Sequence, residues 1–476
     1  MYRKNYKIWQ LLSLIAVLAS LLGTAAQAEE ISLTEAFQRG RENNPELREL
    51  KEELLTLERG LAQLMSSLDW QVDFSGQTSY GKRDEIKGLM QTYYPVDNKL
   101  KEEGGQLSLS LQSKKTYLFG LNIKSNLSIT EVQPFKFENF EEKYDYSLDL
   151  SQRLYPLLPS EEEKKYYRLE NEWKIAQIQR AALLKTREID WLELYFKLDS
   201  LKKSQQLLAQ NYRLVEAKAE QVLEQYNIGE AGKTQLLAAQ IELKEAEIAL
   251  KDARSKEEQA SSGFAQALGL DEGQLKLVDA EKYIDQLPAG DLNYQDLDGL
   301  MELVVNDNTR LRALKRKFAF QERELKWQKA EGKPQLNAVG NYKHNPGTDD
   351  EWVIGLGVIY NIFDSGRQEI ALAEQLAELE SLQLERQQLL QQLRSELKGL
   401  QNQLALNLLN LDGKRLALEK AELELELAAE QLKEGIITEQ QYQQQILREK
   451  QAEIDRETAQ HQVLISKRRI IDFVGL

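Results

Sequence analysis

Two tracts, Ser160 to Leu287 and Gly347 to Leu476, contain none of the eight prolines of this 476-residue chain. Proline inside a helix removes a hydrogen bond and clashes with the preceding turn, so proline-free tracts of this length suit very long helices. Ser160 to Asn227 is 68 residues and Gly366 to Glu434 is 69. At about 1.5 Å per residue, either would extend about 100 Å. Neither is expected to be a single unbroken element, yet both far exceed an ordinary globular helix.

The apolar spacing says what these helices are for. Trp191, Leu194, Leu198, Leu201, Leu208, Tyr212, Val215, Ala219, Val222 and Tyr226 follow alternating steps of three and four, with Gln205 the one interruption. This is a heptad seam. Leu404, Leu411, Leu418, Leu425 and Leu432 repeat every seven residues, and Leu409, Leu416 and Leu423 form a second stripe beside them. A helix with two adjacent apolar stripes packs neighbours on both sides, as the staves of a helical barrel do. An ordinary four-helix bundle with a wide core stripe has the same periodicity. The helices turn back at Asn227 to Gly232 and at Lys433 to Thr438; glycine there permits positive φ, and Thr234 and Thr438 can cap the returning helices.

The chain repeats itself. Asn44-Pro45-Glu46-Leu47-Arg48 aligns with Asn308-Thr309-Arg310-Leu311-Arg312 at an offset of 264, which also places Gly76 on Gly340. Gly229 falls on Gly435 and Gly269 on Gly475 at an offset of 206, so the first half carries 58 extra residues between its first strand and its long helix. Two internal structural repeats are therefore expected.

Between the helical tracts the period changes. Leu33 to Leu68 reads as a helix, and then Val72, Phe74, Gly76, Thr78 and Tyr80 alternate with polar residues. The same alternation occurs over Leu107 to Leu111, Phe119 to Ile129, Tyr144 to Leu150, Leu336 to Tyr342 and Trp352 to Tyr360. The longer runs reach the 9–11 residues that a tilted strand needs to cross a bilayer, and all have one apolar and one polar face. A soluble antiparallel sheet alternates in the same way. Tyr and Trp at the strand ends, and too few strands to close a core in one chain, favour the membrane. An open sheet edge is forbidden in lipid, so several chains would have to complete one barrel.

Composition removes other classes. With no Cys there is no disulfide scaffold, thiol catalysis or Cys metal site, and only His344 and His461 can supply imidazole. A net charge of −15 argues against nucleic acid. Glu-rich helices are solvated faces, and the Gly355 to Gly357 segment lacks phosphate-loop spacing, so no catalysis and no cofactor or metal are expected. His344, beside Asn345-Pro346-Gly347, reads as an exposed loop residue, and His461 as a surface or core position of a helix. Arg3, Lys4 and Lys7, then the twelve-residue apolar run Leu11 to Leu22, then Ala26-Gln27-Ala28, spell a cleaved secretory signal peptide.

With these patterns in place, the sequence resembles the TolC-like outer-membrane efflux protein family. The similarity lies in SLTEAFQRGRENNPELREL, EQYNIGEAGKTQLLAAQIEL, FAQALGL, PQLNAVGNY, VIGLGVIYNIFDSGR and EQLKEGIITEQQYQQQ, in that order. It implies a mainly α fold with a β-barrel portion: a long coiled-coil α-helical barrel continuous with a transmembrane β-barrel completed by a homotrimer, four strands from each chain making twelve. It implies an exit duct of a tripartite efflux pump or type I secretion system. The partners would be a periplasmic adaptor (membrane fusion protein), an inner-membrane pump and outer-membrane lipid. Gly229, Gly232, Gly435 and Ile436 would lie at the helix tips where the adaptor engages, and Gln441, Gln444 and Leu432 near the pore constriction. Well-studied members carry acidic residues where Gln441 and Gln444 stand, so an uncharged ring would bind cations less strongly. The organisation expected is a signal peptide over 1–28 and a first unit over 29–290, with strands at about 70–152 and a helix pair at 160–268. A second unit would cover 291–476, with strands at about 334–362 and a helix pair at 366–474. The Leu107 to Ile129 hairpin is read as an extracellular flap, with enlargement of the barrel to 18 strands as its alternative. The competing function is a soluble periplasmic coiled-coil scaffold or adaptor, though no lipoyl-like domain is visible.

Overall fold

The computed structural model describes residues 30–82, 103–132, 144–270, 276–278, 292–346 and 348–476. The signal peptide expected at 1–28 lies outside them. In chain order the elements are β1 (Glu30–Ser32), α1 (Leu33–Asn43), α2 (Pro45–Leu68), β2 (Gln71–Lys82), β3 (Glu103–Thr116), β4 (Asn122–Val132), β5 (Tyr144–Tyr155), α3 (Glu161–Asn227), α4 (Lys233–Leu268), β6 (Lys276–Val278), α5 (Leu297–Asp307), α6 (Thr309–Glu331), β7 (Gln335–His344), β8 (Glu351–Ile359), α7 (Arg367–Lys433) and α8 (Glu439–Val474). They form two compact units, one from residues within 1–51, 178–312 and 388–476, the other from residues within 52–177 and 313–387.

In the first unit, four helix segments lie in antiparallel order α4, α3, α8, α7. Lys218 of α3 pairs with Glu242 of α4 at 2.7 Å. Lys203 reaches Glu457 of α8 at 2.6 Å, and Ser200 meets Thr458 at 2.9 Å. Lys414 of α7 pairs with Asp455 of α8 at 2.7 Å. These half-exposed pairs set register more than they add stability. The apolar seams supply the burial: Trp191, Leu198, Val215 and Ala219 on α3, and Leu404, Leu411 and Leu418 on α7, are all buried.

Two cores form where α1 and α5 cover this layer. One gathers Leu33, Ala36, Phe37, Leu47, Trp191, Leu198, Phe264 and Leu268. The other gathers Leu300, Val304, Leu311, Leu397, Leu404, Ile470 and Val474. Their members correspond at the offsets 264 and 206, with exchanges of size among them: Trp191 stands where the other core has Leu397, and Gly40 where it has Val304. A Cβ on Gly40 would lie 2.9 Å from the Trp191 ring, so the larger side chain is accommodated by the missing one.

The second unit holds one six-stranded antiparallel meander in the order β2-β3-β4-β5-β7-β8. Here several sequence expectations are corrected. The Leu107 to Ile129 hairpin is no flap: β3 and β4 are bonded into the sheet on both sides, from Gln71↔Lys114 to Lys82↔Glu103 and from Ile129↔Tyr144 to Asn122↔Ser151. The chain thus contributes six strands, not the four that the resemblance implies. Phe119 is not in a strand but in the exposed β3–β4 turn beside Gly120, which has φ +86°.

Helix boundaries differ too. Each long helix is one unbroken element of 67 residues, since nothing in either stretch interrupts the backbone ladder. The helix read over Leu33 to Leu68 instead breaks at Asn44. Pro45 disfavours helical φ/ψ at the residue before it and suits the first helical position. A short parallel pair, β1 with β6, had no signal in the periodicity.

Candidate functional site

The two halves of the sheet's surface have opposite chemistry, and register fixes which residues share a face. Directly opposed residues of an antiparallel pair lie on one side. Phe74 faces Leu111, Leu111 faces Leu127 and Leu127 faces Tyr146; Tyr342 faces Trp352 and Gly340 faces Ile354. One face therefore carries an apolar band across all six strands. Phe74 is 70% exposed and Ile354 80%. The other face carries Ser75, bonded to Ser110 at 2.7 Å, and Asn341, which donates to Asp149 at 2.5 Å.

Aromatic side chains gather at both ends of the apolar band. At one end Tyr144 lies 5.5 Å from His344 and Tyr146 6.1 Å from Tyr342, centroid to centroid. At the other, the Lys115 ammonium sits 5.7 Å from the Trp70 ring and 5.1 Å from that of Tyr117. Amphipathic rings in two belts flanking an aliphatic band are what a membrane-spanning strand layer presents at the two lipid–water boundaries. His344 is corrected here from exposed loop residue to last residue of β7, bonded to Tyr144 at 3.1 Å through Nε2 and to Asp350 through Nδ1. His461 is a packed position: its ring stacks on Phe196 with centroids 3.8 Å apart, and burial lowers its pKa below the ordinary value near 6.5. Among the described residues, no cluster of three or more metal-ligating side chains occurs, and no helix is long and apolar enough to cross a membrane.

The two helix returns close with the same bonds. The amide of Gly229 donates to Tyr226 O at 3.1 Å and that of Glu230 to Gln225 O at 2.8 Å; the amide of Gly435 donates to Leu432 O at 3.0 Å and that of Ile436 to Gln431 O at 2.8 Å. This pair of bonds requires a left-handed residue after the helix. Gly229 and Gly435 supply it, with φ +80° and +73°. Leu432 is half-buried, and its carbonyl serves this closure. Ile436 is exposed.

Gly232 is different: with φ −83° and ψ 159° it is the extended N-cap of α4. Thr234 is therefore not the cap but lies inside the helix, whereas Thr438 does cap α8, its hydroxyl accepting from Gln441 N at 3.2 Å. The Gln441 side chain returns the bond, accepting from Thr438 N at 2.8 Å, as Gln235 accepts from Gly232 N at 2.8 Å. This reciprocal arrangement satisfies donors that a helix start leaves free. Gln444 is half-buried beside Leu207, Leu208 and Asn211 of α3, lining a cavity of about 230 Å³ with Leu447, Arg448 and Gln451. Gln441 is exposed, and Gln444, three residues on along the same helix, is half-buried. Substituting Gly229 or Gly435 with Ala is expected to cost about 1–2 kcal/mol each for the left-handed Cβ, and Gly232→Ala less, through its weaker N-cap alone, in chemical unfolding curves.

Sequence reasoning aligned Asn44 with Asn308 but missed their role. The Asn44 side chain donates to Ala267 O at 3.0 Å and accepts from Leu47 N at 3.2 Å. Asn308 likewise donates to Phe473 O at 2.8 Å and accepts from Leu311 N at 3.4 Å. Each buried amide caps one helix and pins the end of another, where a Cβ on Gly269 or Gly475 would strike a backbone carbonyl at 2.7 or 2.5 Å. The signal available in sequence was the pairing of an Asn after each short helix, Asn44 after α1 and Asn308 after α5, with a Gly at the end of each return.

No family model and no curated protein matches the sequence. Solved structures do. The CmeC outer membrane channel of Campylobacter jejuni is 14% identical with a TM-score of 0.56, over 93% of this chain and 85% of that one. The outer membrane protein VceC of Vibrio cholerae is 12% identical with a TM-score of 0.57, over 93% and 96%. The open state of the MtrE outer membrane channel of Neisseria gonorrhoeae is 11% identical with a TM-score of 0.57, over 95% and 93%. From leading strand to final helix, this chain has the fold of the TolC-like outer-membrane channels.

Proposed function

We infer that the protein is an outer-membrane exit duct for efflux, built from three copies of the chain. The observation that carries this reading is that the chain leaves apolar surface unpartnered at both edges of its helical layer as well as across one face of its sheet. On α7 the outer stripe Leu409, Leu416 and Leu423 is 69, 66 and 61% exposed. On α4, at the opposite edge of the layer, Leu237, Ile241 and Ile248 are exposed. A layer whose two edges differ and are both apolar closes by head-to-tail contact between copies, each α7 against the next α4. The uncovered face of the sheet then meets lipid, and the polar face lines the lumen.

The rest follows as proposal. The chain is a duplicated unit of strands and long helix pair. The tips at Gly229, Gly232, Gly435 and Ile436 receive a periplasmic adaptor that couples the duct to an inner-membrane pump. Gln444 and Leu432 sit close to the constriction. Gln441 serves its own helix start first and contributes less to a polar ring. Transport is passive, with the work done by the pump.

The test is single-channel conductance of the purified protein in planar bilayers, with native mass in the same detergent. Expected are a mass of three chains and a small conductance that rises when Gln444 is shortened to Ala. A soluble monomer with no conductance would overturn the duct.

A further inference from the structure

The meander is an open sheet whose edge strands are β2 and β8. Backbone groups left unpaired along an edge are not tolerated in hydrocarbon, so a lipid-facing sheet must find a partner for both. Resting on the duct reading above, we propose that three copies close one 18-stranded barrel, β8 of each chain pairing antiparallel with β2 of the next at an eight-residue stagger that sets Val358 opposite Phe74 and Ile354 opposite Thr78.

Direction comes first. Six strands in strict up-and-down order leave the two edges antiparallel to each other, so each added copy continues the alternation without a parallel seam. The β3–β4 hairpin belongs to the wall and not to its rim, because it is paired through the whole span of β2 on one side and through Asn122 to Ile129 with β5 on the other.

Register comes next. A single row perpendicular to the strands runs Val72, Ser113, Ser125, Leu148, Tyr342, Trp352. From that row β2 extends one way to Lys82, and β8 extends the opposite way to Ile359. Laying β8 beside β2 of the next copy therefore requires a slip along the strands. The slip must be an even number of residues, because Val72, Phe74, Thr78 and Trp352, Ile354, Val358 all belong on the lipid face. Slips of about six or eight both place the nine residues Glu351–Ile359 wholly against β2.

Tilt separates them. At about 3.3 Å per residue and about 4.8 Å between strands, a slip of eight advances about 26 Å over the roughly 29 Å width of six strands, a tilt of about 42°. A slip of six gives about 34°. Membrane barrels tilt their strands by about 35–45°, which favours eight. A closed wall of 18 strands leaves an aqueous lumen.

The chain has no Cys, so introduced thiols report without background. The full chain carrying Val358→Cys and Phe74→Cys, oxidised in isolated outer membranes, is expected to shift from one chain to a covalent ring of three on non-reducing gels, while either single variant stays at one chain. Ile354→Cys with Thr78→Cys is the second pair, should the first disturb assembly, and gives the same shift. Cross-linking of Val358→Cys to Val72→Cys instead would overturn the stagger. A native trimer in the membrane that cross-links at neither pair would overturn the six-strand closure while leaving the duct intact. A chain recovered as a soluble monomer would overturn the duct reading itself.

Discussion

Ile354→Arg is expected to abolish assembly into the outer membrane. Ile354 stands in the middle of β8 on the apolar face, opposite Gly340, and is the most exposed of the band's aliphatic residues named above. Arginine on the lipid face at the bilayer midplane costs about 2–4 kcal/mol per site. In the proposed trimer that cost falls three times in one barrel, and no acidic neighbour shares the face: the cross-strand partner is a glycine and the strand neighbours on that side are Trp352 and Leu356. The control is Ser147→Arg, two strands further in but on the polar face, where Ser147 opposes Lys343 and Asn126. That variant should assemble and change conductance instead. Measured as trimer recovered from washed outer membranes, loss for Ile354→Arg beside retention for Ser147→Arg assigns the faces. Equal retention of both would remove the lipid from the apolar side.

How much of this was legible in the sequence depends on the range of the interaction. Alternation is local, and all six strands were visible as period-two runs from Val72 to Tyr360. The heptad seams were equally visible, and the buried set Leu404, Leu411 and Leu418 is the one their spacing picked out. What a run of residues does not encode is where its hydrogen bonds go. The β3–β4 hairpin reads identically as flap or wall, and only its pairing with β2 and β5 decides between them.

Capping shows the same boundary at smaller scale. Thr234 and Gly232 are two residues apart, and both suit a helix start; the Gln235 side chain, folded back to the Gly232 amide, settles which residue is the cap. Gln441 was read as pore lining because of where the resemblance places it. Its amide oxygen also accepts from Thr438, a contact three residues away that spacing alone had allowed. The Asn44 and Asn308 pins span more than 160 residues each, so their role emerges only when both ends are in place.

Substituting Leu409, Leu416 and Leu423 together with Glu is expected to convert the proposed trimer to single chains without unfolding them. The three lie one heptad apart on the side of α7 away from its packed seam, and each is more than three-fifths exposed in the isolated chain. Burying a leucine side chain is worth about 1.5–3 kcal/mol, so three per interface and three interfaces per ring make this stripe a principal source of cohesion. Glutamate adds to the loss, since an unpaired carboxylate resists transfer into an apolar contact. In the single chain the same change is nearly neutral, because the stripe is already in water and Glu is as good a helix former as Leu. Two readouts therefore diverge: circular dichroism keeps its helical signal while native mass falls from three chains to one and conductance disappears. The seam residues Leu404, Leu411 and Leu418, buried within the chain, behave oppositely, their replacement lowering helicity and mass together. Matching charges on α4, at Leu237, Ile241 and Ile248, should reproduce the outer-stripe phenotype, because a head-to-tail ring is broken from either side of its repeated contact. If the α7 variant remained trimeric, the wall of the duct would have to close through other surfaces, and the stave arrangement of α4, α3, α8 and α7 would lose its meaning.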